Sequence, residues 1–153
     1  MHLNPSTMAE NVWEVLSNAA IDWEIDGRGS TYVTSLAFPF WLDALPDDEG
    51  FSFYTYCTVR EGIGELELLR FVNNCNHKLP MVQFCASKCG KRVQAHYSLY
   101  KPDGLHQRGF LFAARRFSEI VLSVVKAEEN FVTVLDCDAE DECPRQSVTQ
   151  VIH

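Results

Sequence analysis

The period of the hydrophobic pattern changes abruptly near residue 20, and that change constrains the fold more than any other feature of the chain. Met8, Val12, Val15, Leu16 and Ala19 recur at helical intervals and form one apolar stripe. Thr7 and Glu10 stand at capping-box spacing, where each side chain satisfies the other's free backbone N–H, so a helix is predicted from about Thr7 to Ala20. Ile21-Asp22-Trp23-Glu24-Ile25-Asp26 then alternates strictly between apolar and acidic, the pattern of a half-buried strand. Asp26-Gly27 and Gly29-Ser30 supply the turn that follows.

The alternation continues. Tyr32 to Phe40 reads as a second strand ending at Pro39, which places that end at an edge or exit. Pro46-Asp47-Asp48-Glu49-Gly50 is a solvated turn, and Phe51 to Arg60 is a third strand with Phe51, Phe53, Cys57 and Val59 in alternation. Leu68, Leu69, Val72, Cys75 and Leu79 mark a second helix over about Ile63–Asn76. Met81–Ser87 and Arg92–Leu99 form a hairpin around Cys89-Gly90-Lys91, and Gly109–Glu129 is a long amphipathic helix. Past Leu135 the periodicity is lost and acids accumulate, so residues 136–153 read as an acidic, disordered tail on a single domain of residues 1–135. The predicted order is α-β-β-β-α-β-β-α. Strands grouped into hairpins and separated by single helices indicate an α+β fold, with the helices on one face of a twisted, mainly antiparallel sheet, rather than a doubly wound parallel one.

Composition narrows the function classes. The 153 residues fit one domain, and 46% hydrophobic with 12% aromatic content excludes global disorder. A formal net charge of -8 opposes nucleic-acid binding and suits basic or amphipathic protein partners. No stretch approaches the roughly 18 apolar residues of a membrane span. Met1–Thr7 lacks a basic region followed by an apolar one, so a cytoplasmic protein with reduced thiols is expected.

Chemical motifs are sparse. Cys75 and His77 are two apart on a helix, so they do not face each other as a nucleophile pair would, and Asn73–His77 reads as a helix terminus. Cys85 and Cys89, with His96 as a third group, are the candidates for a metal- or thiol-dependent sensor, although no second tight pair completes a zinc pattern. No phosphate loop or HExxH pair is present, and no cofactor is expected. The surplus is aromatic. Tyr54 and Tyr56 alternate with Phe51 and Phe53, so both faces of that strand carry rings, and Trp23, Phe40 and Trp41 are near in sequence. Either one ring set lies in the core and the other is merely half-buried, or the sheet buries its second face against another subunit or a client. On that second reading Trp23, Phe40, Trp41, Tyr54 and Tyr56 are the candidate partner-binding residues. A small-molecule sensor with a pocket between sheet and helices is the further alternative.

Leu69-Arg70-Phe71-Val72-Asn73-Asn74-Cys75-Asn76 ends the second helix in a double-Asn pattern just before Pro80-Met81-Val82-Gln83-Phe84-Cys85-Ala86. That strand leads through Gly90 to Val93-Gln94-Ala95-His96-Tyr97-Ser98-Leu99 and a long last helix. This run resembles the YbjN family of proposed bacterial sensory-transduction regulators, over roughly Thr7 to Phe131. Where the family often has an aromatic between its two asparagines, Asn74 and Cys75 stand here. The resemblance implies a fold like that of type III secretion chaperones and a non-enzymatic, homodimeric, protein-binding role, with no site residues to carry over.

Overall fold

The computed structural model describes residues 5–101, 105–127 and 134–136, and the side chains of the first helix from Asn11 onward. Helix α1 spans Pro5–Asn18, so it begins two residues before the expected cap at Thr7. Proline is well suited to a first helical position, where its missing N–H costs nothing. Strands β1 (Trp23–Ile25), β2 (Thr31–Val33), β3 (Phe40–Ala44) and β4 (Gly50–Val59) follow. Helix α2 is Glu65–Lys78, β5 is Gln83–Ala86, β6 is Arg92–Tyr100, α3 is Gln107–Lys126, and β7 is Leu135–Asp136.

The sheet is antiparallel throughout, in the order β1-β2-β3-β4-β6-β5, with β7 also paired to β4. The fold is α+β, with the three described α-helices on one face. Two details differ from the sequence reading. The expected strand Tyr32–Phe40 is split, because Val33 pairs with Phe40 and residues 34–39 form the connection of a hairpin. Ser118 of α3 holds that connection: its hydroxyl accepts from the Phe38 N–H and donates to the Phe38 carbonyl. Four strands therefore precede α2. At the other end, Asp136 belongs to β7, opposite Thr58, whereas the sequence reading began the tail there. The rest of that tail, residues 137–153, lies outside the described residues.

One face of the sheet makes the core. Phe51, Phe53, Thr55, Cys57 and Val59 of β4 all point toward the helices and are buried. Phe53 packs against Phe40, Phe110 and Phe117 at ring separations of 5.7, 5.7 and 6.0 Å. Val12 and Leu16 of α1, Leu68, Val72 and Cys75 of α2, and Phe110, Phe117 and Val121 of α3 complete one continuous cluster. Aromatic pairs of this kind contribute about 0.5–1.5 kcal/mol each beyond their buried area. Gly50 opens β4 at φ 151 against the Leu99 carbonyl, an approach too close for any Cβ.

Candidate functional site

The face of the sheet away from the helices is built by the alternate positions of the same strands. Strand pairing sets one row straight across it: Glu24 of β1, Tyr32 of β2, Trp41 of β3, Tyr54 of β4, His96 of β6 and Gln83 of β5. Cross-strand partners share a face, so this row is a geometric consequence of the register. Tyr56, Gln94 and Cys85 form the next row, and Thr58 with Arg92 the one after.

Aromatic contact ties the rows together. Trp41 lies 4.6 Å from Tyr32, 6.0 Å from Tyr54 in a stacked arrangement and 6.2 Å from Tyr56 edge-on. Its indole N–H donates to Asp26 Oδ2 at 3.1 Å, and the Tyr54 hydroxyl donates to Asp43 Oδ2 at 2.8 Å. Burial raises the Tyr54 phenol well above its usual range, with the Asp43 carboxylate adding to the effect and a hydrogen bond to Ser30 opposing it. Burial also lowers the His96 imidazole. The Arg92 guanidinium carbon sits 5.6 Å over the Tyr56 ring, and Arg92 is only 7% exposed.

The five residues singled out from sequence therefore separate. Tyr54 and Tyr56 are half-buried on the outer face, as their alternation with Phe51 and Phe53 requires. Trp41 is on that face too, but its neighbours cover it to 5% exposure, so it supports the surface more than it presents one. Phe40 is fully buried among the core rings and is not a surface residue, because the strand pleat turns it opposite to Trp41. Trp23 lies elsewhere, at the β1 edge, stacked on Trp13 of α1 at 5.3 Å and donating its indole N–H to Ser17 Oγ at 3.1 Å.

The two edges of the sheet are unlike. At β5 the Asn76 side chain of α2 accepts from the Phe84 N–H at 2.8 Å and donates to the Phe84 carbonyl at 3.0 Å. It copies the hydrogen bonding of a further strand, so Asn76 is not a helix terminus: α2 runs through it to Lys78. At β1 the bonds Thr34 N–H to Asp22 O and Asp26 N–H to Ser30 O, both 3.0 Å, fix which residues face β2. By the alternation of an antiparallel pair Asp22, Glu24 and Asp26 bond to β2, while the main-chain groups of Trp23 and Ile25 point outward. Ile25 is 45% exposed. This asymmetry is invisible in the one-dimensional pattern, because both edges read as short alternating strands.

The thiol candidates are dispersed. Cys85 stands opposite Gln94 on the outer face, Cys89 is exposed in the β5–β6 turn, and Cys57 and Cys75 are buried. Among the described residues, no group of three histidines, cysteines or carboxylates is placed to hold a metal ion. The Cys89 thiol is lowered, first by its contact with the Ser87 hydroxyl at 3.3 Å and then by the backbone near Lys91. No described helix is long and apolar enough to cross a membrane.

The fold has known counterparts. The crystal structure of YbjN from E. coli, a candidate transcription regulator, superposes with a TM-score of 0.60 at 14% identity, covering 76% of this chain and 90% of that one. A chain of the HopA1–SchA chaperone–effector complex superposes with a TM-score of 0.53 at 12% identity, covering 76% of this chain and 93% of that one. No family model and no curated protein matches the sequence. This chain thus has the α+β architecture shared by YbjN and a chain of the HopA1–SchA chaperone–effector complex, and at these identities the likeness is one of fold.

Proposed function

We propose that the chain is a non-enzymatic, cytoplasmic protein-binding module, homodimeric, that holds an extended segment of a client by adding it as a strand to β1. The outward main chain of Trp23 and Ile25 carries the reading, because an edge presenting two donors and two acceptors in line is a template for one more strand. The Trp13–Trp23 stack and the exposed Ile25 side chain give such a segment apolar surface to pack on. The opposite edge is closed by Asn76, so strand addition is directed to one place. The likeness to a chaperone–effector complex agrees with a protein ligand.

Site-specific photo-crosslinking in the native cell tests the edge. A photoreactive residue at Ile25 captures a client, and one at Gln83 on the closed edge does not. Equal capture at both positions would sink the reading. Sedimentation velocity tests the homodimer, which a strict monomer at high protein concentration refutes.

A further inference from the structure

The two faces of the β1 edge are chemically unlike, and together they restrict what an added strand can carry. Trp23 stands opposite Val33 and Ile25 opposite Thr31, and Val33 and Thr31 are buried on the helix side. Thr31 Oγ1 accepts from the Trp13 indole N–H at 3.0 Å, and Trp13 stacks on Trp23. Residues opposed across strands share a face, so Trp23 and Ile25 offer an apolar surface on that side.

The alternate residues are acids. Glu24 lies opposite Tyr32 on the outer face. Asp22 keeps the same register one step beyond the strand. Its carbonyl accepts from the Thr34 N–H at 3.0 Å, and its N–H donates to Ser35 Oγ at 2.8 Å. Asp22 and Glu24 are exposed, and among the described residues neither has an ion-pair partner. Asp26, the third acid of the alternation, is already committed: its carboxylate accepts from the Arg28 and Ser30 N–H groups and from the Trp41 indole.

Building on strand addition at β1, we infer that the client segment alternates basic and apolar residues. Lys or Arg stands opposite Asp22 and Glu24, and apolar side chains stand opposite Trp23 and Ile25. The pleat imposes this alternation whichever way the segment runs, because opposed residues share a face in parallel and antiparallel pairs alike. Opposed Cβ atoms of an antiparallel pair are about 4.5–5.5 Å apart, so a basic side chain reaches the carboxylate it faces. A segment of positive charge is also steered toward a chain of net charge -8.

A second copy of the chain does not suit this edge. Antiparallel pairing of β1 with itself, with Trp23 and Ile25 kept on one side, sets Asp22 opposite Glu24, Glu24 opposite Glu24, or Glu24 opposite Asp26. Like charges directly opposed are destabilising, so the same acids guard the open edge against self-pairing.

Defined test strands read the rule. Segments of about nine residues, within the usual length of a strand, alternate Val with Lys, Gln or Glu and are displayed on a Gly/Ser linker from a soluble carrier. Isothermal titration measures each. The Lys strand should bind about fivefold more tightly than the Gln strand, as two opposite-charge cross-strand pairs allow, and the Glu strand more weakly than either. Asp22→Asn/Glu24→Gln, at exposed side chains, should remove most of that preference, and Asp22→Lys/Glu24→Lys should reverse it. Equal affinities for the three strands overturn the inference, as does a Lys strand that fails to bind; capture at Ile25 decides strand addition separately. A Lys preference that survives in the Asp22→Asn/Glu24→Gln protein also overturns it, because the overall charge is then the source. If Ile25→Pro converts a dimer to a monomer, the occupant is a second copy and the inference fails.

Discussion

Asn76 and Phe84 are joined by two hydrogen bonds, the side-chain amide of one accepting from the N–H and donating to the carbonyl of the other. Phe84 is 2% exposed, so both main-chain groups depend on this partner. Asn76→Ala leaves them without one, and the expected cost is about 1–3 kcal/mol per group left unsatisfied. Asn76→Asp retains an acceptor for the N–H but turns an oxygen toward the Phe84 carbonyl, so it also destabilises. Urea unfolding measures the loss, and hydrogen exchange at the Phe84 amide locates it. An Asn76→Ala protein with wild-type stability and protection would refute the assignment.

Helix α1 ends in a Schellman arrangement on the wrong residue. The Ile21 N–H bonds to Leu16 O at 2.9 Å and the Ala20 N–H to Ser17 O at 3.0 Å, which requires Ala20 at φ 55. Glycine takes this conformation without the Cβ penalty of about 1–2 kcal/mol, part of which its greater freedom in the unfolded chain offsets. Ala20→Gly should therefore stabilise the protein by roughly 0.5–1 kcal/mol, seen as a higher thermal midpoint. A lower midpoint counts against the cap.

These two sites show where sequence reading succeeds and where it stops. Phe51, Phe53, Cys57 and Val59 announced the buried face of β4 because strand alternation is local, and the two-sided ring pattern of Tyr54 and Tyr56 followed from the same rule. The run Asn73–His77 was legible as helical, but Asn76's partner is eight residues away on a strand, and nothing local marks it. Ser118 is a stronger case, pinning Phe38 across 80 residues and splitting what alternation alone reads as one strand. Phe40 and Trp41 are adjacent aromatics that the pleat sends to opposite faces, so composition placed both in the surface while only register separates them. The unequal sheet edges needed strand order, which depends on tertiary pairing.

His96 gives a pH dependence of known sign. Burial lowers its pKa from 6.5, so the folded protein favours the neutral ring. Below that value the unfolded chain takes up protons more readily, and stability falls as pH drops through the window beneath 6.5. Above it the contribution is complete. His96→Gln removes this component, and its stability should depend less on pH between about 7 and 5, as read by urea titrations across that range. An unchanged slope excludes His96 as a source.

The four described cysteines should react in a fixed order with iodoacetamide near neutral pH. Cys89 is exposed and its thiolate is favoured by the Ser87 contact, so it is modified first. Cys75 is pushed up to about 11 by burial and, with buried Cys57, should react only when the fold opens. Ser87→Ala slows Cys89 without altering Cys85, and brief alkylation followed by peptide mapping shows both effects. Early labelling of Cys75 contradicts the packing of α2.

Proline placed along β1 distinguishes main-chain recognition from side-chain recognition. The Ile25 N–H points away from β2, so Ile25→Pro leaves the ladder intact, as proline on an exposed edge generally does. Its effect on stability should stay within about 1 kcal/mol. A client strand loses its bond to that N–H and meets the ring instead, a loss of about 1.4 kcal/mol or tenfold in affinity at least. Ile25→Ala keeps the N–H and should bind more tightly than Ile25→Pro despite its smaller side chain. Glu24→Pro is the opposite control: its N–H is committed to Tyr32, so the change removes a ladder hydrogen bond and lowers stability by about 1–3 kcal/mol. Isothermal titration with the captured client segment and urea unfolding separate the two effects. If Ile25→Pro binds as well as Ile25→Ala, the client is held by side chains, and strand addition at β1 is wrong.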